Sequence, residues 1–229
     1  MALVRVPSTA WFLDLLFPPR CVACRGPASG LCPSCVAALR PLTSPRCARC
    51  GAPTAWPVER CRECAGRRLS FARATSAFAY AGPAAAFVHA WKERGLRRLA
   101  PLAARLVADR VACPAADVIT YIPPDLVRQL ERSRHPAPAL AAELAASWQL
   151  PCSPLLRRTR STDRQASLRL AQRGGNVRDL FAADGRPPER VALVDDVYTS
   201  GSTVNAGARA LRRGGATHVE VITFARAIR

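Results

Sequence analysis

The chain has 229 residues and a formal net charge of +18 at pH 7. This length suits one full domain plus a small module and argues against several large domains. No apolar run approaches the ~20 residues of a membrane span, so we predict no membrane-spanning segment. The basic excess favours polyanionic partners, such as nucleic acid or phosphorylated sugars.

The first predicted element is the apolar stretch of residues 4–17. Asp14 interrupts it, and Pro18 and Pro19 end it. It carries no small-residue cleavage signature, so we expect a helix that docks on the body and not a signal peptide. The protein is therefore expected to be cytoplasmic.

The next segment is rich in cysteine, and eight of the chain's ten cysteines form Cys-x-x-Cys pairs. A two-residue gap lets both sulfurs of a pair reach one tetrahedral metal, and two pairs complete a closed structural site. We predict one or two structural Zn²⁺ ions instead of disulfides. The predicted ligands are Cys21, Cys24, Cys32, Cys35, Cys47, Cys50, Cys61 and Cys64.

Two pairings of these cysteines are compatible with the spacing. The sequential arrangement joins the first two pairs in one site and the last two in another, whereas a cross-brace joins the first pair with the third. Only seven residues separate the first two pairs, which favours the sequential arrangement. Gly51 gives the knuckle after Cys50 its turn. The isolated Cys113 and Cys152 are predicted to be small core residues.

A second domain begins where the cysteine spacing ends. We predict a zinc-ribbon module with the N-terminal segment over residues 1–68, and an α/β domain over residues 69–229. Strands alternating with helices imply a parallel sheet flanked by helices. The predicted strands are residues 74–80, 117–122, 191–194 and 216–224, and the predicted helices are residues 84–95, 96–111, 138–148 and 204–213.

The most informative segment is residues 191–203. Four apolar residues suit a buried strand, two carboxylates stand at its carboxyl end, and a hydroxyl-and-glycine turn opens into a helix. Such a turn offers backbone N–H groups and hydroxyls to a phosphate at a helix N-terminus. The predicted phosphate-binding residues are Val197, Tyr198, Thr199, Ser200, Gly201, Ser202 and Thr203.

Asp195 and Asp196 would repel a phosphate, so we expect them to accept hydrogen bonds from sugar hydroxyls, with Mg²⁺ nearby. Together with the turn they describe a site for a ribose 5-phosphate, with both carboxylates as the catalytic candidates. The alternative is a buried strand that simply meets a polar turn.

This segment resembles the 5-phosphoribosyl 1-pyrophosphate (PRPP) motif of type I phosphoribosyltransferases. With the cysteine pairs in front and the segment from Tyr80 to Trp91 and Lys92, the whole chain resembles the ComF family of competence-associated proteins. The resemblance implies a type I phosphoribosyltransferase-like sheet behind a zinc module. It also implies a role in DNA uptake during natural transformation.

The resemblance also implies roles for residues between these motifs. Arg132 and Arg134 stand where relatives carry a basic segment that could hold pyrophosphate, although a solvated basic loop is the alternative. Gln165, Arg173 and Asn176 match a polar pattern that could form the mobile loop over the ribose; an arginine-rich helix surface is the alternative.

Three functions remain open from the sequence. The first is PRPP binding in DNA uptake or processing, the second is transferase or hydrolase activity on a small molecule, and the third is an adaptor for single-stranded DNA. Thr199 occupies the position where purine-type enzymes place an acidic base, which leaves transferase activity open. Only Trp56 and Trp91 are predicted platforms for base stacking.

Overall fold

The computed structural model describes residues 18–124, 136–159 and 180–228. The strands are β1 (Arg73–Ala79), β2 (Val118–Tyr121), β3 (Leu156–Arg158), β4 (Phe181–Ala183), β5 (Arg190–Tyr198) and β6 (His218–Arg226). The helices are α1 (Pro33–Ala37), α2 (Gly82–Arg94), α3 (Ala100–Ala108), α4 (Pro136–Trp148) and α5 (Ser202–Gly214), and a 3-10 turn (Arg97–Leu99) precedes α3.

The main sheet has the order β1-β6-β5-β2, and its neighbouring strands are all parallel. The inner strands β5 and β6 are buried over nearly their whole length, as expected for a sheet covered on both faces. Parallel pairing brings the carboxyl ends of the strands to one edge. There Tyr198 of β5 lies opposite Arg226 of β6, which lies opposite Ala79 of β1.

Helices cover both faces of this sheet. On one face α2, α3 and α4 bury side chains such as Phe87 and Leu140 in the same core as Phe224 of β6. On the other face α5 buries Val204 and Leu211 against β5 and β6. Each such fully buried side chain stabilises the fold by about 1.5–3 kcal/mol.

The cysteine-rich module covers the β1 edge of the sheet. The amide of Leu42 donates to the carbonyl of Ala77 at 3.0 Å, and Ala79 donates back to Arg40 at 2.8 Å. Further along, Ala74 donates to the carbonyl of Arg49 at 3.0 Å. This pairing removes an open strand edge, which would otherwise invite association with other chains.

The fold class predicted from the sequence is confirmed: a parallel sheet flanked by helices follows a small cysteine-rich module. The strands and helices predicted within the described residues are present, except that residues 96–111 divide into the 3-10 turn and α3. The short α1 and the antiparallel β3–β4 pair were not predicted. In the part of the chain that is described, no helix has the length and apolarity to cross a bilayer.

The prediction for the two isolated cysteines is wrong, because both Cys113 and Cys152 are exposed. Cys113 follows the turn after α3, and Cys152 forms an isolated bridge beside β2 at Ile119. The predicted N-terminal helix, together with Arg132, Arg134, Gln165, Arg173 and Asn176, lies outside the described residues.

Candidate functional site

The cysteine pairs form two four-sulfur clusters, and the sequential pairing is confirmed. One cluster joins Cys21, Cys24, Cys32 and Cys35, and the other joins Cys47, Cys50, Cys61 and Cys64. Zinc bonded to four sulfurs at ~2.3 Å sets the sulfurs roughly 3.8 Å apart. The Sγ–Sγ distances are 3.6 Å for Cys24–Cys32, 3.6 Å for Cys47–Cys64 and 3.5 Å for Cys50–Cys61. The residues therefore fit two structural zinc ions.

In each cluster, backbone N–H groups favour the metal-binding thiolate form of one cysteine in particular, Cys21 in the first and Cys47 in the second. Burial raises the pKa of Cys21, but N–H groups of Cys24, Cys32 and Ala23 outweigh it and lower the pKa to about 6. Cys47 is similar: burial is opposed by backbone donors, and its pKa falls to about 7.

Gly51 shows why one knuckle requires glycine. Its φ is +71°, and a Cβ there would lie 2.4 Å from the carbonyl oxygen of Ala74 in β1. The knuckle of the second cluster thus packs directly on the sheet edge, as its predicted turn allows.

The predicted phosphate turn lies between β5 and α5, at the carboxyl edge of the sheet. Gly201 caps α5 with φ +72°, a left-handed conformation that side chains disfavour. Ser200 Oγ donates to Ser202 Oγ at 2.9 Å and accepts from the Ser202 amide at 3.3 Å. The turn therefore presents hydroxyls at the positively polarised N-terminus of a 13-residue helix.

The segment between the ribbons and β1 holds this turn from the side. Arg67 Nη1 donates to the carbonyl of Ser200 at 2.5 Å. Asn205, in the first turn of α5, accepts from the Ser70 amide at 2.7 Å and donates to the carbonyl of Arg68 at 3.1 Å. These three contacts fix the start of α5 relative to the zinc module.

The carboxylate pair lies next to the turn and is buried, with Asp195 7% and Asp196 2% exposed. Asp196 Oδ2 lies 2.6 Å from Nζ of Lys92 in α2. Burial raises the pKa of Asp195 to about 7, against the opposing charges of Lys92 and Arg158. The site therefore combines two carboxylates with two cations from other elements.

Lys92 lies in a segment that the sequence pattern singled out, whereas Arg158 does not. Lys92 belongs to the segment that carries the resemblance to the ComF family, and its ion pair with Asp196 brings it into the site. Arg158 was not predicted. It is the last residue of the short β3. Its Nε donates to the carbonyl of Pro123 at 3.1 Å, and its Cζ lies 5.1 Å from the centre of the Phe181 ring.

The two tryptophans that were predicted to stack on nucleic-acid bases differ in their exposure to solvent. Trp56 is 68% exposed, whereas Trp91 is 1% exposed and packs edge-on against Phe87 with ring centres 5.8 Å apart. The prediction is wrong for Trp91, because a buried α2 face leaves no room for a base.

Fold and site together define a zinc-ribbon protein joined to a parallel α/β domain with a turn-and-carboxylate site. Residues 12–65 match the family described as the double zinc ribbon domain. The chain is 28% identical over 224 residues to Competence protein F of Haemophilus influenzae, covering 91% of this chain and 97% of that protein. It is 29% identical over 231 residues to the DNA utilization protein YhgH of Salmonella typhi, covering 93% and 100%. The predicted resemblance to the ComF family is confirmed: these proteins are homologues over nearly the whole chain.

Among solved structures, the chain is similar to the glutamine phosphoribosylpyrophosphate (PRPP) amidotransferase from B. subtilis complexed with ADP and GMP. The sequence identity is 25% and the TM-score is 0.38, over 55% of this chain and 26% of that chain.

Proposed function

We propose that this protein binds PRPP, or another ribose 5-phosphate, at the carboxyl end of β5 and that it acts in DNA uptake or processing. The observation that carries the proposal is the position of Asp195 and Asp196 directly before the Gly201 turn, on a strand buried on both faces. The names of its relatives, a competence protein and a DNA utilization protein, support the cellular role.

Each part of the site has a role in this proposal. The turn of residues 199–203 receives the 5-phosphate through hydroxyls and N–H groups. The carboxylates accept hydrogen bonds from the ribose hydroxyls, and loss of the proton from Asp195, whose pKa burial raises to about 7, makes this carboxyl a stronger acceptor. Lys92 and Arg158 supply positive charge beside the pair, where a pyrophosphate group would need it.

Mg²⁺ would enter this site with the ligand. It prefers carboxylate and phosphate oxygens, and Asp195 and Asp196 are the described residues that could hold it. Nζ of Lys92 lies 2.6 Å from Asp196 Oδ2. The negative charge of the carboxylate pair is therefore already partly neutralised before Mg²⁺ binds. A bound Mg²⁺ would neutralise pyrophosphate charge.

Calorimetric titration tests the ligand. Wild-type, zinc-replete protein should bind PRPP with Mg²⁺ and ribose 5-phosphate, and Asp195→Asn and Asp196→Asn should each abolish PRPP binding. Zinc content should stay unchanged in both variants, since neither residue lies in a cysteine cluster. Normal PRPP binding by both variants would show that the carboxylates do not hold the ribose.

Binding of single-stranded DNA is a second candidate function, favoured by a basic cavity. The cavity has a volume of about 430 Å³ and lies between the second ribbon and the start of β6. Arg49, Arg212 and His218 line it with the hydroxyls of Ser70 and Thr217, and no carboxylate is among its lining residues. Such a surface suits backbone phosphates.

A salt titration tests this candidate. The logarithm of the affinity for single-stranded DNA should fall linearly with the logarithm of the salt concentration. In the double variant Arg49→Gln/Arg212→Gln this slope should be shallower by roughly 0.7 for each phosphate contact that is lost. Arg110→Gln is the matched control, because Arg110 is exposed after α3 and does not line the cavity. Equal slopes in both variants would exclude the cavity as the DNA site.

A further inference from the structure

The guanidinium of Arg226, the last residue of β6, lies between the second cysteine cluster and the candidate site. The residue is 1% exposed. Its Nη1 donates to the carbonyl of Cys50 at 2.7 Å, and its Nη2 donates to Glu63 Oε2 at 2.7 Å. Cys50 and Glu63 lie on the two knuckles of that cluster, so one side chain holds both of them.

The same guanidinium lies over the ring of Tyr198, with Cζ 4.4 Å from the ring centre. Cation–π contacts of this kind gain strength when both groups are shielded from water. Tyr198 is itself 2% exposed, and Phe71 packs edge-on against it with ring centres 6.4 Å apart.

Tyr198 in turn supports the phosphate turn. A Cβ at Gly201 would lie 2.2 Å from Tyr198 Oη and 2.3 Å from Cζ, so the turn rests directly on the phenol. A continuous line of contacts therefore runs from the Cys50 knuckle through Arg226 and Tyr198 to Gly201.

Charge explains why this line depends on the metal. Four thiolates around Zn²⁺ carry a net charge of about −2, and Arg226 Nη2 lies 3.8 Å from Cys50 Sγ. A buried guanidinium is costly unless anionic partners stay in place. Loss of the metal would free both knuckles and remove the arrangement that keeps Arg226 over the Tyr198 ring.

The first cluster has no corresponding contacts among the described residues. Cys21, Cys32 and Cys35 pack into the core on the α2 and α3 side of the sheet, whereas Cys47, Cys50 and Cys64 share the core of Tyr198 and α5. The two clusters are thus chemically alike and differ in what they support.

We infer that Arg226 and Tyr198 are positioning residues through which the second zinc ribbon holds the phosphate turn in its binding geometry. Metal in the second cluster, and not in the first, then sets the affinity for the phosphorylated ligand. The choice of ligand rests on the proposed function; the line of contacts does not. By thermodynamic reciprocity, the ligand must tighten zinc in the second cluster by the same factor.

Calorimetry with ribose 5-phosphate tests the two positioning residues. Arg226→Lys keeps the charge but loses the fork that spans Cys50 and Glu63, and should bind roughly tenfold more weakly while retaining both metal ions. Tyr198→Leu removes the ring on which Gly201 rests and should bind as weakly as Arg226→Lys. Wild-type affinity in Arg226→Lys and Tyr198→Leu would overturn the inference.

A matched pair of cysteine variants tests which metal matters. Cys61→Ser and Cys24→Ser each remove one of the less buried ligands, the first from the second cluster and the second from the first. Cys61→Ser should weaken ribose 5-phosphate binding, and Cys24→Ser should not. Equal weakening in both would mean that the metals act only through overall stability, which contradicts the inference.

Hydrogen exchange separates failure of this inference from failure of the proposed function. Without ligand, amides of residues 199–203 should exchange faster in Arg226→Lys and Cys61→Ser than in wild type and Cys24→Ser. If wild type does not bind ribose 5-phosphate, the proposed function fails, and this exchange pattern alone decides the inference. Equal exchange in all four proteins would refute it.

Discussion

Asp195 is a buried carboxyl whose charge state is set by two opposing effects. Burial favours the neutral acid, while Lys92 and Arg158 favour the carboxylate, and the net result is a pKa of about 7. In the unfolded chain an aspartate has a pKa near ~3.9, so between these values the folded protein binds the extra proton. Stability from this group is therefore fully present at low pH and is lost as pH rises through about 7.

Asp195→Asn should remove this dependence, because the amide stays neutral. Its free energy of unfolding relative to wild type should rise between pH 5 and 7, by at most ~1.4 kcal/mol per pH unit, and level off above. Urea unfolding of zinc-replete protein at several pH values measures the difference. Asp184→Asn, at an exposed carboxyl, is the control and should show no such trend; an identical trend in both variants would contradict the assignment.

Gly201→Ala should disrupt the turn itself. The new Cβ must tolerate φ +72° and lies 2.2 Å from Tyr198 Oη, so either the turn or the ring must move. We expect a loss of about 1–3 kcal/mol of stability and loss of ribose 5-phosphate binding.

The matched control for Gly201→Ala is Gly66→Ala, where a Cβ would meet nothing within 4 Å. Thermal unfolding and calorimetry should find that control close to wild type. If Gly201→Ala also binds ligand normally, the turn does not receive the phosphate.

At the scale of elements, the Asn205 side chain makes two of the three contacts that fix α5 to the segment between the ribbons and β1. Asn205→Ala leaves the Ser70 amide and the Arg68 carbonyl without this partner, which should cost about 1–3 kcal/mol. Asn205→Asp keeps the acceptor for Ser70 and should lose less. Urea unfolding measures the free energy of unfolding of wild type and of both variants. A lower value for Asn205→Asp than for Asn205→Ala would contradict the role given to the Ser70 contact.

The elements that could be predicted are those with a local signal. The apolar run of β5, the turn at Gly201 and the spacing of the cysteine pairs each occupy a few neighbouring residues, and each is present in the structure. Arg226 and Arg158 were not predicted, because their partners are distant in sequence. Arg226 contacts Cys50 across 176 residues, and no periodicity in β6 distinguishes it from an ordinary surface arginine.

On the scale of the whole molecule, the two zinc ribbons are part of the α/β core. Cysteines of each cluster pack into the core on one side of the sheet, and the module pairs with the open edge of β1. Metal binding and folding of the core are therefore coupled, as in small zinc domains where binding energy serves as folding energy.

Removal of zinc should destabilise the whole protein and expose its thiols. In zinc-replete protein only Cys113 and Cys152 should react rapidly with a thiol reagent, because both are exposed and outside the clusters, whereas all 10 cysteines should react after chelation. The melting temperature should fall by more than ~5 °C, since even 1 kcal/mol shifts it by about 2–4 °C in a chain of this size. Adding zinc back before oxidation should restore both readings. Ten reactive thiols at an unchanged melting temperature would instead mean that the sheet is stable without its ribbons, and that the packing of the cysteines against β1 contributes little to the fold.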